Sequence, residues 1–202
     1  MSPRGPILRY LDYNQTLRFF AGITDPRDRA LFATTYHYGL RVSEAALLKL
    51  DDIDLTRNRI LIRRVKNGIG GERPLFTTTA RLFVEYLTVR LPTGDALFTG
   101  RQGNLRCPRI QQLFKHYATL ADLGPHVSVH SLRHSIAMHL LDADQGIEFV
   151  QDHLGHVNIQ NTLIYAKLTD RRRAAIFRQL EHTQAIVSIE PSRAVPPPVA
   201  SG

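Results

Sequence analysis

Apolar residues recur at helical spacing along most of the chain. Thr79 to Leu91 sets Leu82, Phe83, Tyr86 and Leu87 on one face, and Pro108 to Leu123 does the same with Ile110, Leu113, Phe114 and Tyr117 before Gly124-Pro125 stops it. Asp25-Pro26 offers a cap and a first-turn proline for a helix running to about Tyr38 and closing at Gly39. Ser43 is placed to cap a second, short helix from Glu44 to Leu50. Ser131 to Leu141, Ile147 to His153, Ile159 to Ala166 and Asp170 to Ile186 complete a helix-rich second half. One stretch breaks the period. Arg59 to Val65 alternates, with Ile60 and Ile62 against Arg59, Leu61 and Arg63, and passes through Lys66-Asn67-Gly68 and Gly70-Gly71 into Glu72 to Phe76. Turn formers between two short apolar runs predict a hairpin. The expected fold class is mainly α with a small antiparallel β-sheet (α+β).

No internal repeat interrupts this pattern, and 202 residues suffice for one well-buried domain. The reading is one domain over residues 1–187, followed by a tail over 188–202 that holds Pro191, Pro196, Pro197 and Pro198 with little to bury. The single cysteine, Cys107, excludes an internal disulfide and a cysteine-rich zinc module. The first residues lack the apolar core of a secretion signal, and no apolar run approaches the roughly 20 residues that span a bilayer. A soluble, cytoplasmic protein is therefore expected. Charge changes the picture most. With 26 Lys and Arg against 18 Asp and Glu, the net +8 favours a polyanionic partner, since neutralising phosphates releases condensed counterions.

The candidate chemistry lies in a block near the C-terminal end: His130-Ser131-Leu132-Arg133-His134, then Leu154-Gly155-His156, then Tyr165. An earlier arginine, Arg41, stands in Gly39-Leu40-Arg41-Val42-Ser43-Glu44. Attack on a phosphodiester needs fixed positive donors on the non-bridging oxygens, a proton donor for the leaving oxygen and an oriented nucleophile. Arginine suits the first task, being permanently charged and able to give two parallel hydrogen bonds, so Arg41 and Arg133 are the candidate clamps. His130 lies one helical turn before Arg133, placed to touch a phosphate or move a proton. His156 precedes Tyr165 by nine residues, near enough for both to approach one phosphate. Lys66 heads a glycine-rich hairpin able to swing over a bound strand, and Glu44 is placed to hold Arg41 by an ion pair. Taken singly, each residue has a plainer explanation. His130 and Arg133 suit a solvated helix face, Leu154-Gly155-His156 a helix C-cap, Tyr165 a packed aromatic, Lys66 a turn and Arg41 a cap. Their joint occurrence in this order outweighs those explanations.

On these residues the chain resembles the tyrosine recombinases of the phage-integrase family. The matching stretches are Tyr38 to Ala45, Leu48 to Leu55, His130 to Ser135 with Ala137 and His139-Leu140-Leu141, Gln151 to His156, and Thr162 to Tyr165, with Lys66 in the hairpin between them. The resemblance covers about residues 10 to 180, and its short start ahead of Arg41 is most like the catalytic-domain-only members such as the fimbrial phase-variation invertases, without a separate N-terminal core-binding domain; a piece of a longer integrase is the other explanation. It implies a site-specific recombinase needing no ATP, metal or other cofactor. Tyr165 would be the nucleophile giving a 3′-phosphotyrosyl enzyme. Arg41, Arg133 and His156 would hold the phosphate, Lys66 would protonate the leaving oxygen, His130 would move a proton, and Glu44 would support Arg41. Double-stranded DNA is the implied partner, with four protomers on two sites joined through helix 170–186, whose Ile176, Phe177 and Leu180 would dock on a neighbour. Arg171, Arg172 and Arg173 would follow the DNA backbone. Two rival readings remain at this point. One is an inactive DNA-binding regulator that keeps the fold. The other is a metal site on His126, His130 and His134, which lacks the glutamate of a His-Glu-x-x-His pattern.

Overall fold

The computed structural model describes residues 9–65, 68–100, 103–158 and 160–166. Within them the molecule is mostly helical with small antiparallel sheets, as the hydrophobic periodicity requires. The expected helix at 170–186, Arg171 to Arg173, the proline-rich tail and Lys66 lie outside the described residues.

The first helix, α1 (Tyr13–Ala21), was not foreseen. It forms because Asp12 and Gln15 cap it reciprocally: the Gln15 amide donates to the Asp12 carboxylate at 2.8 Å, and the Asp12 amide donates to the Gln15 side chain at 2.9 Å. Helix α2 (Pro26–His37) starts where expected, on the Asp25 cap and Pro26. It is the central element, packed against both α4 (Thr77–Val89) and α6 (Val129–Asp142). Burial on all sides explains its composition of Ala30, Leu31, Phe32 and Ala33 beside Thr34 and Thr35, whose hydroxyls donate back to Ala30 and Leu31 carbonyls at 2.7 Å.

Helix α3 is shorter than expected and starts two residues earlier. It spans Val42–Ala46, with Arg41 rather than Ser43 in the cap position, and a 3-10 turn at Leu50–Asp52 follows after three non-helical residues. The reason is Glu44, whose carboxylate turns back to accept the Arg41 amide at 2.9 Å. Strands β1 (Ile53–Asp54), β2 (Arg59–Ile62) and β3 (Gly71–Pro74) make an antiparallel sheet in that order, with Ile60 opposite Arg73 and Ile62 opposite Gly71. Ile60 and Ile62 are buried, as the alternation predicts. A second hairpin, β4 (Thr99–Gly100) with β5 (Gly103–Asn104), precedes α5 (Cys107–Leu120).

Two apolar clusters result. The larger unites α1 to α5 with the sheet and the start of α6, around Phe19, Phe32, Phe83 and Phe114. The smaller joins the rest of α6 to α7 (Ile147–Leu154) and α8 (Gln160–Ala166) through Ile136, Met138, Leu141, Val150, Leu154 and Tyr165. Helix α6 therefore belongs to both, carrying Arg133 at their boundary. No helix among the described residues is long and apolar enough to cross a membrane.

Candidate active site

The site is organised by one buried carboxylate. Glu44 is 2% exposed, a position a charge occupies only when paired. Arg41 donates to it at 2.6 Å and Arg64 at 2.9 Å, while the Arg133 guanidinium lies 4.0 Å away. The Val65 amide adds a bond at 3.3 Å. Burial pushes the Glu44 carboxyl up, but the Arg41 amide and the Arg64 charge outweigh it and hold the group below its ordinary value. Three guanidinium groups thus face one carboxylate, leaving a cationic excess where Arg41 meets the surface.

Arg133 is 1% exposed and is fixed by two backbone carbonyls, donating to Gly39 O and, at 2.9 Å, to Leu154 O. Burial, with the Arg41 and Arg64 charges, lowers its pKa to about 10, so it stays charged at neutral pH. The anchoring carbonyl comes from Gly39, whose φ of +55° ends the α2 turn. A Cβ there would stand 2.5 Å from Leu154 Cδ2, so this glycine also lets α7 approach the arginine pair.

Arg64 was not singled out from sequence, yet it pairs with four residues of the site and its surroundings. Besides Glu44 it donates to Gly39 O at 3.3 Å, Tyr38 O at 2.9 Å and His153 O at 2.7 Å, tying β2 to the ends of α2 and α7. The alternation of β2 carried the signal, since residue 64 continues the inward face of Ile60 and Ile62.

Tyr165 lies in the smaller apolar cluster at 1% exposure. Burial raises its phenol to about 12, against the opposing pull of the Arg133 and Arg41 charges. Its hydrogen-bond partner is His134 Nδ1 at 2.8 Å. His130 is exposed, and its ring meets His134 edge-on with centroids 4.4 Å apart. His156 follows Gly155, which caps α7 at φ +66°, and its Nδ1 pairs with the buried Thr162 hydroxyl at 2.9 Å. Burial and then the Arg133, Arg41 and Arg64 charges lower its pKa to about 4, leaving a neutral imidazole. Of the residues singled out from sequence, the structure therefore brings Arg41, Glu44, His130, Arg133, His156 and Tyr165 into one neighbourhood. Thr162 joins them from within the quoted motifs without having been assigned a part, and so does His134, named before only in the rival metal reading.

An open cleft of about 820 Å³ adjoins this group, lined by Arg41, Val65, Ser128 and His130 and by Gln111 and Lys115 of α5. Arg133 and Tyr165 are not among its lining residues. Among the described residues no three His, Cys, Asp or Glu side chains are grouped to hold a metal ion. The arrangement suits an anion at the Arg41 edge of the cleft.

Residues 9–172 match the phage integrase family, and the chain belongs to it. It is 34% identical over 179 residues to tyrosine recombinase XerC of Azotobacter vinelandii, covering 85% of this chain and 60% of that protein. It is 33% identical to XerC of Pseudomonas aeruginosa, covering 87% of this chain and 61% of the relative. The chain thus spans about 60% of the length of these relatives. The invertase branch of the resemblance gains no support from them. Among solved structures, XerA recombinase superposes with a TM-score of 0.75 at 26% identity, covering 89% of this chain and 66% of that one. The Tn1549 transposon integrase in complex with circular intermediate DNA shares the fold at a TM-score of 0.75 and 18% identity, covering 89% of this chain and 69% of that one.

Proposed function

We propose that the chain is the catalytic part of a site-specific recombinase that cleaves and rejoins duplex DNA through a 3′-phosphotyrosyl intermediate. Family membership and the XerC relatives support the reaction class. The observation that carries it to these residues is the convergence of Arg41 and Arg133 on Glu44, with the Tyr165 hydroxyl hydrogen-bonded to His134, the residue next to Arg133. Arg41, Arg133 and His156 bind the scissile phosphate, and their fixed charges stabilise the extra negative charge of the transition state without reorganisation. Tyr165 attacks phosphorus, Lys66 protonates the departing 5′ oxygen, and His130, exposed on the cleft, assists proton movement and phosphate binding. The covalent link conserves the phosphodiester energy, so resealing needs no ATP. Arg171, Arg172 and Arg173 contact the DNA backbone, and residues 170–186 join protomers into a tetramer on two sites.

The test is covalent capture. Cleavage positions are mapped on DNA flanking the gene for this chain, and a duplex nicked beside a mapped position is incubated with the protein. A protein–DNA adduct on a denaturing gel, absent with Tyr165→Phe, is expected. No adduct from the unaltered chain would instead favour the inactive DNA-binding regulator.

A further inference from the structure

The nucleophile's proton needs an acceptor, and the residue in contact with it is His134. The Tyr165 hydroxyl meets His134 Nδ1 at 2.8 Å, and the two rings lie 5.6 Å apart between centroids. His130, the histidine of the expected catalytic set, packs its ring on His134 and makes no hydrogen bond of its own to the phenol among the described contacts. We infer that His134 is a catalytic base, taking the Tyr165 proton as the tyrosine oxygen bonds to phosphorus and returning it when the strand is resealed. The inference rests on the recombinase reading above.

The surroundings fit the role. His130 and Arg133 face His134 from its own helix, His156 from the turn after α7, and Tyr165 from α8. Burial, then the His130, Arg133 and His156 charges, lower the His134 pKa to about 4, so at neutral pH its ring is uncharged and has a free lone pair to offer the phenol. An isolated imidazole so depressed would be a poor base. An incoming phosphate supplies the missing negative charge, and the growing charge at phosphorus then favours the imidazolium as the proton arrives. The step balances: the Tyr165 oxygen–phosphorus bond forms, the bond from phosphorus to the 5′ oxygen breaks, one proton passes to His134, and a separate donor, Lys66 in the proposal above, supplies one to the leaving oxygen. Base and acid therefore act on opposite sides of phosphorus, and they can be separated by the leaving group.

The experiment uses the nicked duplex in two forms, one with the natural 5′ oxygen at the scissile position and one with bridging sulfur, which departs without needing a proton. Lys66→Ala is expected to be slow with oxygen and restored with sulfur. His134→Gln keeps a polar contact but cannot take the proton, so adduct formation at neutral pH should fall roughly 100-fold with both leaving groups. Its rate should recover as pH rises and hydroxide assumes the task, and added imidazole should accelerate His134→Ala. A His134→Gln rate within about threefold of the unaltered chain, or a loss that neither pH nor imidazole relieves, would overturn the assignment and leave His134 as a packing contact. Absence of adduct from the unaltered chain on the sulfur duplex would instead remove the recombinase reading itself.

Discussion

The proposed clamp and the proposed nucleophile are built in opposite ways. Arg41, Arg64 and Arg133 are held around Glu44 by ion pairs and backbone carbonyls drawn from α2, α3, β2 and α7, against the larger apolar cluster. Tyr165 stands on a seven-residue helix in the smaller cluster, and among the described residues its polar ties are one bond to His134 and the neighbouring pair of His156 with Thr162. The difference separates two requirements of one reaction. Positive charge must be in place before the phosphate arrives, because reorganising it during the reaction would add to the barrier. A nucleophile must reach, bond and be released, so a lightly tied short helix suits it.

That contrast is broken most sharply by Tyr165→Phe, which should abolish adduct formation while changing the urea-unfolding free energy by no more than about 1.5 kcal/mol, the value of one hydrogen bond. Glu44→Gln should do the reverse. Removing the only charge that Arg41 and Arg64 are seen to share strands buried cations, and a stability loss of about 3–5 kcal/mol is expected in the same measurement. The clamp also has an acid signature. Glu44 titrates below its ordinary 4.5 when folded, so the stability it contributes is present above that pH and is lost as pH falls through the folded value. His134 and His156, lowered to about 4 from 6.5, bind protons more readily when unfolded, so stability should already decline between pH 6.5 and 4. A urea midpoint that stays level over that range would contradict the neutral, buried histidines.

Gly39→Ala should cost about 1–3 kcal/mol, because the new methyl group meets Leu154 at a positive φ and displaces the carbonyl that receives Arg133 and Arg64. Adduct formation should fall along with stability. Thr162→Val, nearly the same shape, should have the smallest effect, about 1 kcal/mol, through the lost His156 contact. A large loss of stability from that change would show the tyrosine side to be as firmly built as the clamp.

Much of this was legible in the sequence, and the exceptions have physical reasons. Periodicity located α4, α5, α6 and α7 because each buries apolar residues, while the Asp25 cap and Pro26 located α2. It missed α1, which exposes Tyr13 and Leu17 and is started by the Asp12–Gln15 cap, a pattern of polar residues that hydrophobic spacing ignores. It misjudged α3, because the decisive contact is a glutamate folding back on its own cap. Arg41, Arg133, His156 and Tyr165 stand in motifs whose residue types announce charge and nucleophile. Arg64 and His134 act through their partners, and partners distant in sequence emerge only on folding. Both still left a trace: a charged residue on the inward face of a strand, and a histidine one turn beyond His130.

Gly155 has a bearing on how such a site can change. A side chain there would strike Ile69 O at 2.7 Å and Arg64 Nε at 2.9 Å, so the turn bearing His156 and the far limb of the hairpin that bears Lys66 are pressed together with no spare room. Neither segment can be lengthened, shortened or re-aimed alone. Variation in one must be matched in the other, and an engineer grafting a new hairpin onto this scaffold would have to redesign the histidine turn along with it.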